Sequence, residues 1–346
     1  SIAESGWKIH NNTGYKSQCV REFPVTGMPS ETGDGYVDYV LWGENGLPLA
    51  VIEAKRTIHS PEKGKHQAEL YADCLEKLTG QRPVILYTNG FETRIWDDRF
   101  YPPRKIYGFY SREELQLAVN RRTERQDIRK ISVNRNISER YYQIEAIRRV
   151  TEHFCTDRKP SGFIGSYRKA LLVMATGSGK TRNIIALVDI LVKAGWVSKV
   201  LFLADRNALV KQAKDAFNEH LPSLSTVNLT KNKEDKNNRV VLSTYPTMLN
   251  LIDTARNEEG RFYTPGHFDL IIIDEAHRSV YQKYMTIFDY FDSMLIGLTA
   301  TPKDEVDRDT YKLFELPKYD PTYYYSLEQA VADKFLVPPV GMSVPL

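Results

Sequence analysis

Two kinds of apolar spacing follow one another along the chain, and the change falls between residues 120 and 140. Before it, short alternating runs dominate. Tyr36 to Trp42, the turn Gly43-Glu44-Asn45-Gly46 and Leu49 to Lys55 together predict a β-hairpin. Ser60 suits a helix N-cap and Pro61 the first helical position. Ala68, Tyr71, Ala72, Leu75 and Leu78 then recur at helical spacing until Gly80 stops the run. Val84 to Tyr87 and Thr93 to Trp96 predict two more strands around Asn89-Gly90. The first region is therefore expected to be a mixed α/β domain.

After the change, apolar strands alternate with helices. Strands are expected at Ala170 to Val173, Val200 to Ala204, Val240 to Ser243, Leu270 to Ile273 and Met294 to Leu298. Helices are expected at Lys180 to Lys193 and Asn207 to Phe217. Strands apolar on both faces with helical crossovers predict a parallel sheet. At the junction, Arg121, Arg122, Arg125, Arg129, Lys130 and Arg135 face only Glu124 and Asp127. A solvated linker helix and a DNA-backbone contact both account for that run.

Length and composition narrow the class without fixing a function. The 346 residues allow two domains, and 42% hydrophobic with 26% charged residues describes an ordinary folded protein. No apolar run approaches the roughly 20 residues that cross a bilayer, and no signal-peptide pattern opens the chain. The expectation is a soluble, cytoplasmic protein with no membrane partner. Cys19, Cys74 and Cys155 form no CxxC pair and read as reduced thiols rather than a zinc or disulfide framework. A net charge of +3 from 47 basic and 44 acidic residues decides nothing about nucleic acid. The start at Ser1, and an end at Leu346 soon after the helix-like stretch Leu327 to Phe335, suggest a piece of a larger protein.

Two groups of residues carry chemistry. MATGSGKT, Met174 to Thr181, lies between a predicted strand and a predicted helix, as a phosphate-binding loop requires. Thr176, Gly177, Ser178 and Gly179 would cradle phosphates with backbone amides. Lys180 would reach the β- and γ-phosphates, and the Thr181 hydroxyl would bind Mg2+. Met174 departs from the common first residue but leaves the cradle intact. Leu270 to Ile273 runs into Asp274-Glu275-Ala276-His277, where Asp274 can hold the Mg2+ shell and Glu275 can orient the attacking water.

In the first region, Glu53 and Lys55 leave one face of a strand and the hairpin folds Asp38 back toward them. Carboxylates converging beside a lysine suit a metal-dependent hydrolase. Asp38, Glu53 and the Ala54 carbonyl would bind Mg2+, and Lys55 would position water and stabilise charge. A solvated hairpin face would also explain the pattern taken alone.

The later motifs resemble superfamily 2 helicases and translocases, in that family's order, across most of residues 141 to 302. The resemblance makes Gln143 the adenine-reading glutamine, places His277 in the DEAH box and makes Thr299 and Thr301 of GLTATP the link between nucleotide state and DNA grip. It also assigns ADRNALVKQ and LSTYPTM to DNA-backbone contacts. Its second RecA-like domain, which supplies arginines to the transition state, is not found in these residues. DGYVDYVLW with VIEAK resembles the PD-(D/E)xK nucleases, with Val37 in place of proline. Gln67 and Tyr71 in HQAELY resemble the extra motif of the RecB-like branch, which gives both a catalytic part. His66 beside them is either an exposed helix residue or a ligand, and Glu4 is a candidate extra acid.

A nuclease followed by such a motor is similar to the restriction (R) subunit of type I restriction-modification enzymes. Type III subunits place the nuclease after the motor. The resemblance implies a restriction-endonuclease-like α/β domain over residues 1–125, a basic linker over 126–140 and a RecA-like parallel-sheet P-loop domain over 141–325. A second motor domain would begin in 326–346. It further implies ATP and Mg2+ as cofactors and double-stranded DNA as substrate, pulled and then cut away from the recognised sequence. Methyltransferase and specificity subunits are the implied partners. A stand-alone helicase-nuclease of DNA repair and a non-catalytic DNA-binding module are the rival readings.

Overall fold

A computed structural model describes residues 2–10, 18–56, 60–232, 237–254, 256–257, 260–276, 282–301 and 310–338. The chain forms two compact units. One comprises Ser1–Arg125, Leu249–Asp269 and Thr286–Ser293; the other comprises Gln126–Met248, Leu270–Met285 and Met294–Leu346.

The first unit begins with β1 (Ile9–His10), β2 (Cys19–Thr26), β3 (Asp34–Trp42), β4 (Pro48–Ala54) and α1 (Glu62–Thr79). It continues with β5 (Val84–Thr88), β6 (Thr93–Trp96), β7 (Arg104–Ile106) and α2 (Arg112–Glu124). The seven strands lie side by side in chain order. The β3–β4 and β5–β6 pairs are antiparallel hairpins, whereas β4 and β5 run parallel because α1 carries the chain back between them. Period-two alternation sends neighbouring residues of a strand to opposite layers. Val40, Val51 and Ile85 pack under Ala68, Tyr71, Ala72 and Leu75 of α1, and Leu41, Ala50, Ile52 and Leu86 pack against Leu115 and Val119 of α2.

The expected turn closes as Gly43 N–H donates to the Leu47 carbonyl and the Asn45 side chain accepts from Leu47 N–H at 3.1 Å. At the start of α1 the Ser60 hydroxyl accepts from Glu62 N–H, and Gly80 ends the helix in the left-handed region.

The second unit opens with α3 (Tyr141–Phe154), a small hairpin β8 (Cys155–Asp157) and β9 (Phe163–Gly165), then β10 (Lys169–Met174), α4 (Lys180–Lys193), β11 (Val200–Ala204) and α5 (Asn207–His220). Next come β12 (Thr226–Asn228), β13 (Val240–Thr244), α6 (Tyr245–Thr254) and the short strands β14 (Arg256–Asn257) and β15 (Gly260–Arg261), the last two within the first unit. The chain continues through β16 (Leu270–Ile273), α7 (Gln282–Tyr290), β17 (Met294–Thr299), α8 (Thr310–Leu313), β18 (Tyr323–Tyr325) and α9 (Leu327–Ala332). The sheet order is β12-β13-β11-β16-β17-β10-β18, with every neighbouring pair parallel. All strand C-terminal ends therefore share one edge.

The arginines of the basic run up to Arg129 do not form a solvated helix face, whereas Lys130 and Arg135 are exposed. Helix α2 ends at Glu124, and the Arg121 guanidinium makes two parallel bonds to Asp269, at 2.5 and 2.7 Å. Arg122 bonds Asp97 and the Arg82 carbonyl, Arg125 lies 4.0 Å over the Phe100 ring, and Arg129 pairs with Asp127 and Asp157. Arginines committed to carboxylates and an aromatic face are not free to read as a charged surface. Among the described residues no helix is long and apolar enough to cross a membrane. The three cysteines are buried free thiols.

Candidate active sites

In the first unit the site forms where β3, β4 and α1 meet. The ladder pairs Tyr39 with Ile52, so Asp38 and Glu53 fall opposite one another at its end and share the face covered by α1. The Ala54 N–H donates to Asp38 Oδ2 at 2.7 Å, fixing the aspartate against β4. The Lys55 ammonium donates to Glu53 Oε1 and to Gln67 Oε1, both at 2.6 Å, and Gln67 Nε2 donates to the Tyr71 hydroxyl at 2.7 Å. The spacing of four along α1 is what lets Gln67 and Tyr71 meet.

Glu53 is 3% exposed, and its Oε2 is buried without a hydrogen-bond partner. Burial raises its carboxyl above the ordinary range, the Lys55 hydrogen bond opposing the shift and the Asp38 charge adding to it. A buried, unpartnered carboxylate oxygen beside a second carboxylate is a donor set that fits a divalent cation, completed by a backbone carbonyl and water. Among the described residues, no three His, Cys, Asp or Glu side chains gather as a metal-binding group. The fit thus rests on the two acids. His66 is an exposed helix residue beside Glu69. Glu4 is not brought to the site: its neighbours Ser5 and Trp7 bond the Phe109 and Tyr110 carbonyls, and Trp7 packs with the α2 face of the sheet.

Gly64, which sequence reasoning passed over, belongs here. A Cβ at this position would stand 3.2 Å from Glu53 Cγ and 3.4 Å from Lys55 Cγ, so α1 approaches the site closely because residue 64 has no side chain. A glycine inside a helical run was the signal that could have found it.

In the second unit, the motifs gather along the C-terminal edge of the parallel sheet. The phosphate loop follows β10, and Gly177 and Gly179 adopt φ of 86° and 84°, conformations open to glycine at no steric cost. Gly179 caps α4, so Lys180 and Thr181 open the helix. The Lys180 ammonium folds onto the Met174 and Ala175 carbonyls at 3.2 and 3.4 Å. Burial lowers its pKa, with Glu275 and Asp274 pulling the other way. Asp274 and Glu275 follow β16. Burial and the Glu275 charge push the Asp274 carboxyl up to about 6, which is how adjacent acids behave until a cation joins them. Glu275 has a left-handed backbone, φ 51°, and its N–H donates to Asp274 Oδ1.

Thr299 ends β17 fully buried and its Oγ1 accepts from Thr301 N–H at 3.2 Å. Gln143 is buried rather than exposed on its helix, and its Nε2 donates to the Ser178 carbonyl at 3.0 Å. Thr176 and Gly177 are exposed at the loop's tip, and Ser178 is buried within it. His277 lies outside the described residues. Tyr142 was missed: its hydroxyl also donates to the Ser178 carbonyl, at 2.8 Å, and only its place beside Gln143 could have signalled this.

The family described as "Type I restriction enzyme R protein N terminus" matches residues 7–104, and that described as "Type III restriction enzyme, res subunit" matches residues 136–304. The chain is 32% identical over 328 residues to the EcoAI type I restriction enzyme endonuclease subunit of Escherichia coli, covering 87% of this chain and 37% of that one. With the EcoKI endonuclease subunit of Escherichia coli K12 it shares 26% identity, covering 98% of this chain and 34% of the relative. A solved fragment described as an HsdR subunit of a type I restriction enzyme from Vibrio vulnificus YJ016 aligns at 26% identity, covering 95% of this chain and 58% of that one, with a TM-score of 0.42. The chain thus spans little more than a third of the length of the two Escherichia coli subunits. Matched in both its parts, over residues 7–104 and 136–304, it belongs to the family of type I restriction enzyme endonuclease subunits.

Proposed function

We propose that the first unit cleaves duplex DNA and that the second binds ATP and takes part in translocating that DNA, within a cytoplasmic complex containing methyltransferase and specificity subunits. The observation that carries this reading is the unbroken chain from Glu53 through Lys55 and Gln67 to Tyr71, set beside Asp38. Lys55, with about a quarter of its side chain exposed, is held at 2.6 Å by two acceptors, one of them the buried Glu53. Asp38, Glu53 and the Ala54 carbonyl would hold Mg2+, which when bound supplies charge neutralisation and a more acidic water. Lys55, fixed by Glu53 and Gln67, is placed to offset negative charge as a phosphodiester is attacked. Tyr71 holds the Gln67 amide so that its oxygen faces Lys55.

At the second site, Thr181 and Asp274 would hold the Mg2+ that accompanies ATP. Lys180 exchanges its two loop carbonyls for phosphate oxygens, Glu275 orients the attacking water, and Gln143 is the candidate for adenine. Thr299 and Thr301 are the candidates for passing nucleotide state to DNA grip. The family relatives named above are restriction subunits, which does not favour a stand-alone repair enzyme.

The test is Lys180→Ala in the intact subunit, assembled with its partners and given unmodified circular DNA. ATP turnover should vanish, and cleavage with it, although the nuclease residues are untouched. Cleavage at the wild-type rate would reject the dependence of cutting on the motor.

A further inference from the structure

An aromatic cluster outside the phosphate loop holds one of the loop's peptides. The Ser178 carbonyl accepts from the Tyr142 hydroxyl at 2.8 Å and from Gln143 Nε2 at 3.0 Å. Tyr142 is fully buried, and its ring stacks on Tyr325 at 4.1 Å with 9° between the planes, while Phe335 meets it edge-on at 5.2 Å. Tyr325 ends β18, in register with Met174, and its carbonyl accepts from Ala175 N–H at 3.0 Å. Its hydroxyl donates to Asp333 at 2.8 Å, and Asp333 also accepts from Gln329 and Tyr141. Leu336 approaches the loop's tip, with Cδ2 3.2 Å from where a Cβ on Gly177 would stand. The stretch from Tyr325 to Leu336 is therefore tied to the loop at Ala175 and, through Tyr142, at Ser178, and lies close to it at Gly177.

We propose that Tyr142, packed against Tyr325 and Phe335, is a positioning residue for the nucleotide, an inference that rests on the ATP reading of this loop. The reason is peptide planarity. In a trans peptide the C=O and N–H point in opposite directions, so two donors that fix the Ser178 carbonyl toward α3 also aim the Gly179 N–H away from α3. That N–H belongs to the amides that cradle phosphate at the start of α4. The stack with Tyr325 and Phe335 holds the Tyr142 ring, and hence its hydroxyl, in place.

The experiment measures binding of Mg2+ with fluorescent mant-ADP to the intact subunit, alongside thermal unfolding without nucleotide. Tyr142→Phe keeps the ring stack and removes one donor; it should weaken binding about five- to tenfold, the worth of one net hydrogen bond, with the nucleotide-free unfolding temperature little changed. Phe335→Ala should speed mant-ADP dissociation, and Phe335→Trp should restore it. Lys180→Ala separates the two claims. If it loses binding while Tyr142→Phe binds like wild type, the ATP reading stands and the positioning role is rejected. A wild-type subunit that fails to bind mant-ADP overturns both.

Discussion

Gly64 on α1 faces Glu53 on β4 so closely that a single added methyl would stand 3.2 Å from the glutamate Cγ. Lys55 Cγ would stand 3.4 Å from the same methyl, so the helix and the two charged residues occupy a space set by a missing side chain. Gly64→Ala should displace Glu53 or Lys55 by a few tenths of an ångström and lower DNA cleavage about tenfold, since small misplacements at a reacting centre are costly. Gly64→Val should lower it further. Plasmid cleavage by the assembled enzyme, with ATP turnover as the control for folding, checks both; undiminished cleavage by the valine variant would show that the close approach has no part in the chemistry.

The Arg121–Asp269 pair joins residues 148 apart in sequence, with about a tenth of each side chain exposed. Removing one partner leaves a charge buried alone, so Arg121→Ala or Asp269→Ala should each cost about 3–5 kcal/mol in urea unfolding. An apolar double replacement, Arg121→Met with Asp269→Leu, should recover most of that loss because neither charge remains. A double variant no more stable than the singles would mean that this region needs the ion pair itself.

These arginines also mark where sequence reasoning stops. The run from Arg121 to Arg135 is legible as basic, and Asp127 beside Arg129 is legible too, but Asp269 and Asp97, which neutralise Arg121 and Arg122, are distant along the chain and nothing local announces them. The hairpin, the helix from Ser60 to Gly80 and the phosphate loop were legible because turn, cap and spacing signals agree within a few residues. The central parallel strands were legible as apolar runs between helices. Strands β12 and β18 were not, since three residues each, flanked by polar sequence, carry no period. Asp38, Glu53, Lys55, Gln67 and Tyr71 could be picked out as types at the right spacing. That Lys55 bridges Glu53 and Gln67, and that Glu53 keeps an unpartnered oxygen, are properties of packing alone.

His153 offers a pH-dependent check on the second unit. Its ring is stacked on Tyr167 at 4.3 Å and bonded to the Lys169 carbonyl at 3.0 Å, and burial holds its pKa below the ordinary value. The unfolded chain takes up this proton near pH 6.5 and the folded chain only below that. Protons therefore favour unfolding in the window between, and stability present at neutral pH falls as the pH drops through about 6.5. Urea midpoints between about pH 7 and pH 5.5 should decline less in His153→Gln than in wild type. Equal declines would show that the ring's burial does not couple to folding.

The central claim is that cutting belongs to the Asp38, Glu53 and Lys55 site, and ATP use to a separate one. The most direct measurement compares DNA cleavage and ATP hydrolysis in the same preparation of assembled enzyme carrying Lys55→Ala. Loss of a charge aimed at the reacting phosphate should lower cleavage by about a hundredfold or more, while DNA-stimulated ATP hydrolysis stays within about twofold of wild type. Cleavage at the wild-type rate, or equal loss of both activities in a folded enzyme, would contradict the account.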